Sequence, residues 1–170
     1  MASRDPANLS RRLESYAPAS LLALGAGADA LLADYRSAHP ECRITELDPR
    51  GTLQGPALLE ALADKGRFDF VVVGAGVLEH LDANTGANLL ARLRDLHTSR
   101  FCVALRRHDG AGCWQSAELI AMGLAHWSSE DVDGSALEIY GFDLGTYKAT
   151  PDWLNARHWA HPEHWGKYRW

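Results

Sequence analysis

Cysteine is scarce in this sequence, and the cysteines that it has are far apart. Three of the 170 residues are cysteines, and no two of them form a Cys-x-x-Cys pair. A disulfide framework is built from an even set of cysteines, and a thiolate zinc site from closely spaced ones. We therefore expect Cys42, Cys102 and Cys113 to be reduced thiols that pack as small apolar side chains.

The sequence also lacks long hydrophobic runs and an excess of basic residues. Its apolar stretches are far shorter than the roughly 20 residues that cross a bilayer, and charge and proline occupy residues 4–6, where a signal peptide would be apolar. The formal net charge of −5 does not suit a general nucleic-acid binder. We expect a cytoplasmic protein with no membrane segment and no nucleic-acid partner.

Arginine is nevertheless concentrated in one part of the chain, between residues 92 and 107. These side chains could form a local basic patch if they share a face, although charges of this kind more often lie on solvated faces. We interpret them as solvated charges and keep the patch as an alternative: Arg92, Arg94, Arg100, Arg106 and Arg107.

The chain is long enough for one domain with a buried core and short for two. Hydrophobic residues make up 46% of it and charged residues 23%, which is ordinary for a globular protein. The composition changes near Pro151, after which tryptophan and histidine are frequent. We predict a domain over residues 1–150 and an aromatic tail, residues 151–170, packed on the same domain.

The most informative stretch is Phe68–Leu81, which reads FDFVVVGAGVLEHL. Its apolar, β-branched run without polar alternation predicts a strand buried on both faces of a parallel sheet. Gly74-Ala75-Gly76 then removes side-chain bulk, so that the backbone there can approach a ligand or a neighbouring loop. Asp82 follows as the predicted N-cap of a helix. The apolar side of that helix is marked by Leu89, Leu90, Leu93 and Leu96.

Strands and helices alternate along the rest of the chain. Further strands are predicted at Ser20–Leu24, Arg43–Asp48 and Phe101–Leu105, with helical patterns between them. A first helix is capped by Asp5, opened by Pro6 and closed by Pro18. Ala125–Ser128 and Leu137–Tyr147 are expected to pair as a hairpin. This order predicts an α/β fold, a doubly wound and mostly parallel Rossmann-like sheet with helices on both faces and an antiparallel C-terminal hairpin.

The phrase FDFVVVGAGVLEHL resembles the fourth-strand motif of class I S-adenosylmethionine-dependent methyltransferases. The segment from Leu21 to Asp29 is similar to the first motif of that family, an acid, any residue, then Gly-x-Gly-x-Gly. Gly25 and Gly27 keep the pattern, whereas Ala23 replaces the acid and Asp29 the third glycine. The resemblance implies a methyltransferase-like protein, with S-adenosylmethionine as the cofactor and a small-molecule or protein acceptor.

The resemblance also implies a set of cofactor-binding residues. Asp48 matches the acid at the end of the second strand of that family, whose carboxylate accepts hydrogen bonds from the ribose hydroxyls. Between Asp48 and Phe68 there is room for one helix, where the family places a helix, a strand and a helix. We therefore expect the edge strand to be missing. Without that strand we can assign no residue to the adenine. The implied cofactor-binding residues are Gly25, Ala26, Gly27, Asp48, Gly74, Ala75 and Gly76.

Glu79 and His80 are the candidate catalytic residues, because they follow the glycine turn where the resemblance places donor and acceptor. Methyl transfer mainly requires alignment, and a base is needed only when the acceptor carries a proton. His80 is the candidate base, with a helix-start packing role as the alternative. The Asn/Asp-Pro-Pro-Tyr-like turn of the amine-methylating branches is absent from this stretch, which disfavours nucleobase amines.

Two other functions remain open. Gly25-x-Gly27-x-x-Ala30 with Asp48 also satisfies the dinucleotide fingerprint, which favours a nicotinamide-dinucleotide-binding Rossmann protein. Ala23, Asp29 and the missing edge favour a non-catalytic interaction or regulatory domain with a degenerate cofactor site, in which the glycines only make a tight turn.

The aromatic tail, residues 151–170, combines four tryptophans with three histidines spaced His-x-x-His-x-x-His. Pro162 interrupts that spacing and no carboxylate or thiol pattern accompanies it, so we expect no metal site. Tryptophans at this density more often pack a terminal segment onto its domain, and they are also a candidate surface for a protein partner or a homo-oligomer. The tail resembles the tryptophan-rich endings of a bacterial family of unknown function.

Overall fold

A computed structural model describes residues 9–106, 114–132 and 134–147 of the chain. Its strands are β1 (Ser20–Leu24), β2 (Arg43–Leu47), β3 (Phe70–Val73), β4 (Arg100–Arg106), β5 (Ala125–Val132) and β6 (Ser135–Asp143). They form one six-stranded sheet in the order β2-β1-β3-β4-β6-β5. The first four strands are parallel, whereas β6 is antiparallel to both β4 and β5. The predicted α/β class, the mostly parallel sheet and the terminal hairpin are confirmed.

Helices cover both faces of this sheet, and they are α1 (Leu9–Tyr16), α2 (Ala28–Ala38), α3 (Gly55–Ala63), α4 (Ala83–Arg92), α5 (Ser116–Ala121) and α6 (Leu144–Tyr147). Buried residues of α1 and α2 pack on one face, and buried residues of α3, α4 and α5 pack on the other. None of these helices is long and apolar enough to cross a membrane.

The two central strands, β1 and β3, are buried at every position. Successive side chains of a strand point to opposite faces, so Leu22 and Val71 join the cluster under α3 and α4, while Leu21 and Phe70 join the cluster under α1 and α2. A strand that is covered on both faces needs apolar residues throughout, which explains the continuous run read from the sequence.

Among the strands that the structure describes, none lies beyond β2 at that edge of the sheet. Within residues 48–69, all of which the structure describes, α3 is the one regular element. The missing edge strand predicted from the short segment after Asp48 is confirmed. Arg43 and Glu46 of β2 are exposed, and charged side chains of this kind discourage pairing with another chain at an open edge.

The predicted position of Leu96 on the apolar side of the fourth helix is wrong. After Arg92 the chain forms a π-helical turn, Leu93–His97, in which the Thr98 amide donates to the Leu93 carbonyl. The wider turn changes the register of the following side chains. His97 is therefore buried, and Leu96 is 59% exposed.

The predicted boundaries of the C-terminal hairpin are also corrected. The first strand extends past Ser128 to Val132, and the second ends at Asp143 and not at Tyr147. The Asp143 carboxylate accepts a hydrogen bond from the Gly145 amide, which turns the chain into α6. Tyr147 lies in that short helix and does not share a strand face with Ile139. β1 has the predicted bounds, Ser20–Leu24, and β2 and β4 differ from their predicted bounds by no more than one residue at either end.

Cys42 and Cys102 are buried free thiols, as predicted, and burial raises the pKa of the Cys102 thiol. Three other predictions lie outside the described residues. They concern Cys113, the Asp5 cap of the first helix and the aromatic tail.

Candidate functional site

The direction of chain winding reverses between β1 and β3. From β1 the chain passes to the edge strand β2, and it then returns to β3 on the other side of β1. At such a point the loops that leave the carboxyl ends of the strands separate, and in open α/β sheets ligands bind in the crevice between them. The reversal therefore predicts a ligand site between the loops that follow β1 and β3.

A cavity of about 330 Å³ lies at this point, and we call it the switch-point cavity. Its volume is at the small end of the range of ligand pockets, roughly 300–1,000 Å³. The loops after β1, β2 and β3, the end of β4 and the start of α3 all contribute to its wall. The lining residues are Ala26, Asp48, Arg50, Gly51, Leu53, Gln54, Gly55, Leu58, Ala75, Gly76, Val77, His80, Leu81 and Arg106.

Gly25 turns the chain out of β1 with a φ of +85° and donates its amide to the Leu47 carbonyl. This left-handed conformation favours glycine. A Cβ at this position would lie 2.2 Å from Cγ2 of Val77, so the Val77 side chain occupies the space above Gly25. The glycine is explained by its conformation and by Val77, without a ligand.

Gly27 and Gly74 allow the β1 and β3 turns to touch each other. A Cβ on Gly27 would lie 2.8 Å from the Ala75 amide nitrogen, and a Cβ on Gly74 would lie 2.3 Å from the Ala28 amide nitrogen. The sequence predicts that the backbone after β3 approaches either a ligand or a neighbouring loop. At Gly74 it approaches a loop. Gly25, Gly27 and Gly74 do not line the cavity, whereas Ala26, Ala75 and Gly76 do.

Asp48 lines the cavity and also holds its own loop. Its backbone has a φ of +51°. Its Oδ1 accepts the Thr52 amide at 2.8 Å and the Thr52 hydroxyl at 3.3 Å, and its Oδ2 accepts the Leu53 amide at 3.1 Å. A carboxylate has about four acceptor positions, so one further hydrogen bond to a ligand hydroxyl is compatible with this arrangement.

Glu79 joins two strand ends and does not line the cavity. Its Oε2 accepts the Gly76 amide at 2.8 Å, and its Oε1 accepts the Arg106 amide at 3.0 Å. The carboxylate therefore fixes the turn after β3 against the end of β4. This contact gives Glu79 a positioning role at the cavity rim.

His80 is exposed and lines the cavity. Its Nδ1 is hydrogen-bonded to the Gly76 carbonyl, which can only accept, so Nδ1 carries the hydrogen. In the neutral ring Nε2 is then the nitrogen with the free lone pair. Of the two candidate catalytic residues, His80 is the one that the fold brings to the cavity.

Sequence reasoning did not select several of the lining residues. Arg50 and Val77 follow strands of the sheet and Arg106 ends one, and the rule that ligands bind at the carboxyl ends of strands could have identified them. Leu53, Leu58 and Leu81 form an apolar part of the wall that has no local signal, because leucines are equally common in the core.

S-adenosylmethionine, the cofactor that the resemblance implies, has a nucleoside part and a cationic methionine part. The nucleoside part fits the cavity, because Asp48 is placed for a ribose hydroxyl and the leucines suit a flat base. The methionine part fits poorly, because Val77 covers Gly25 and Ala23 supplies no carboxylate. Asp48 is the one carboxylate among the described lining residues.

A family model matches residues 3–170 of the chain, and its description is a family of unknown function, DUF6231. None of the curated proteins compared with the sequence matches it. The family match extends over almost the whole chain and carries no activity with it.

Two of the solved structures that are similar to this chain are methyltransferases. Mitomycin 7-O-methyltransferase MmcR has 18% identity and a TM-score of 0.52, with 75% of this chain and 49% of that chain covered. N-methyltransferase NodS from Bradyrhizobium japonicum WM9, in complex with S-adenosyl-L-homocysteine, has 18% identity and a TM-score of 0.48, with 82% and 92% covered. The chain spans about half the length of MmcR. The likeness to MmcR shows the fold alone.

Proposed function

Because the chain belongs to the DUF6231 family of unknown function and has the fold of class I S-adenosylmethionine-dependent methyltransferases, we propose that it binds an S-adenosyl compound in the switch-point cavity and acts as a methyltransferase. One observation carries the proposal. The three loops that the sequence analysis selected, after β1, β2 and β3, contribute Ala26, Asp48 and Gly76 to the wall of a single cavity.

In this proposal the residues of the chain bind and orient. Asp48 accepts a hydrogen bond from a ribose hydroxyl, and Leu53, Leu58 and Leu81 contact the base. His80 Nε2 takes the proton of an acceptor that carries one, and Glu79 keeps the Gly76 turn in place for it. The bound S-adenosylmethionine would supply an electrophilic methyl group.

A second candidate function is a domain that binds a nucleoside-type ligand without catalysis. Val77 above Gly25 and the engagement of both Asp48 oxygens by the loop favour it. The two candidates differ at Gly25 and Val77. A methyltransferase must hold the methionine part of its cofactor there, whereas a domain that binds only a nucleoside need not.

The test is a thermal titration with S-adenosylmethionine, S-adenosylhomocysteine and NAD in separate arms, followed by a methyl-release assay. A ligand at about a hundredfold over its dissociation constant adds roughly 2.7 kcal/mol of stability, or several degrees in Tm for a chain of this size. We expect S-adenosylhomocysteine to raise the Tm and Asp48→Asn to remove most of the shift, since asparagine tolerates the left-handed backbone but is uncharged.

Asp34→Asn is the matched control, because Asp34 is exposed on α2 and does not line the cavity. Val77→Ala should strengthen binding, since it uncovers Gly25. Binding without methyl release from any acceptor supports the second candidate. No Tm shift with either S-adenosyl compound, in the wild type and in Val77→Ala alike, would refute the methyltransferase. A shift with NAD alone would favour a dinucleotide-binding protein, and no shift with any of the three ligands would refute both candidates.

A further inference from the structure

Two arginines, Arg50 and Arg106, line the switch-point cavity. The guanidinium groups of Arg50 and Arg106 have no hydrogen bond or ion pair with any residue in the described part of the chain. Both residues are exposed. Arg50 follows β2 and Arg106 ends β4, so they reach the cavity from opposite sides of the strand reversal.

Arg106 is held in a defined position at the rim. Its amide donates to Glu79, whose other carboxylate oxygen accepts the Gly76 amide. The Arg106 Nη1 atom lies 3.4 Å from the point that a Cβ on Gly76 would occupy, and Cε1 and Nδ1 of His80 lie 3.7 Å from the same point. A guanidinium and an imidazole therefore lie beside the Gly76 turn.

The charge of the cavity wall has the opposite sign to that of the whole chain. Arg50 and Arg106 are two cations, and Asp48 is the one anion among the described lining residues, with both of its oxygens bound to loop amides. The formal net charge of the chain is −5. A concave site with a local excess of positive charge attracts anions, and guanidinium groups bind carboxylates and phosphates through paired hydrogen bonds.

We propose that the switch-point cavity contains an oxyanion subsite formed by Arg50 and Arg106. Its ligand is a small organic acid whose carboxylate or phosphate lies between the two guanidinium groups. The inference goes beyond the proposed function, because it concerns the charge of the ligand and holds for a catalytic or a non-catalytic domain.

The experiment uses the full chain and small matched probes. Benzoate and benzamide share a shape and differ in charge, and phenyl phosphate offers the other oxyanion. Their binding is followed by protein-observed NMR titration at two salt concentrations. We expect benzoate, phenyl phosphate or both to bind in the cavity, with an affinity that falls as salt rises, and benzamide to bind at least about tenfold more weakly.

Arg106→Gln and Arg50→Gln should each weaken the binding of the anionic probe about tenfold. Arg67→Gln is the matched control, and it should leave the affinity unchanged, since Arg67 is exposed, precedes the amino end of β3 and does not line the cavity. A preference for one of the two anions identifies the oxyanion. Equal binding of benzoate and benzamide, no effect of either cavity variant, or no binding of any probe to a folded protein would overturn the subsite. Each result is independent of the S-adenosyl titrations.

Discussion

At the residue scale, the glycines of this fold serve contacts between loops. Gly74 gives the clearest case, because a Cβ there would lie 2.3 Å from the Ala28 amide nitrogen and 2.7 Å from the Gly27 carbonyl carbon. Both neighbours are backbone atoms, which cannot move aside as a flexible side chain can. The β1 and β3 turns, and with them Ala26 and Gly76 of the cavity, depend on this approach.

Gly74→Ala should therefore destabilise the protein by about 3 kcal/mol, the upper part of the usual range for overpacking, and lower the Tm by roughly 10 °C. Gly66→Ala is the control, because Gly66 has no positive φ and nothing lies within 4 Å of its added Cβ. We expect it to change the unfolding free energy by less than about 1 kcal/mol. Thermal and urea denaturation of the two variants would measure the difference, and equal stability would contradict the packing role.

At the element scale, α1 is fastened to the sheet at both of its ends. Its first amide, from Leu9, donates to Glu130 of β5, and the Tyr16 hydroxyl at its other end donates to Asp143 of β6. Burial and the Asp143 carboxylate raise the pKa of Tyr16. Polar contacts thus fix a short helix whose buried face contains only Leu9 and Leu13.

A further contact joins α1 to the end of α2 and depends on pH. His39 Nε2 is 2.9 Å from Glu14 of α1, and Nδ1 is 3.1 Å from Glu41. These hydrogen bonds, the one to Glu14 foremost, raise the pKa of His39. A raised pKa in the folded state means that the contribution to stability is complete below the unfolded value of about 6.5 and is lost as the pH rises through the folded value.

The difference in Tm between the wild type and His39→Gln should accordingly be largest below about pH 6.5 and should shrink at higher pH. Glu14→Gln should reduce the same pH-dependent difference, because it removes the partner on α1. A Tm difference that stays constant from acidic to alkaline pH would show that His39 acts by packing against Tyr35, whose ring centroid lies 4.4 Å away.

At the scale of the whole molecule, the chain combines a reduced sheet with an aromatic ending. In the described part of the chain the sheet ends at β2, and the sequence continues past Tyr147 with the aromatic tail, residues 151–170. Large apolar side chains of Ile120 and Leu144 are 57% and 58% exposed. We propose, from composition, that the tail packs on this same domain.

Deletion of the aromatic tail should lower the Tm or cause aggregation, since each tryptophan that buries its side chain contributes a few kcal/mol. Replacement of His158, His161 and His164 by glutamine is the companion variant, and it should leave the Tm unchanged with and without zinc. A truncated protein as stable and as soluble as the full chain would contradict the packing of the tail. A zinc-dependent rise in Tm that the triple variant loses would instead support a metal site.

The sequence by itself determined the elements and their order, because a strand covered on both faces must be apolar throughout and a turn at its end must be small. FDFVVVGAGVLEHL therefore predicted a buried strand, a turn and the Asp82 cap, whose carboxylate accepts the Thr85 amide. The absence of the edge strand was predicted from the shortness of the segment between Asp48 and Phe68.

Only the tertiary structure decided what those elements do at the cavity. Val77 fills the space above Gly25, Glu79 turns to two amides, and Arg50 reaches the same cavity as Arg106, although these residues come from different strand ends. Contacts between distant loops leave no periodic signal, since each loop meets its neighbours only after the sheet has formed. The same holds for the charge of the cavity wall, which depends on the side chains that the strand reversal brings together. The net charge of the chain, −5, does not predict it.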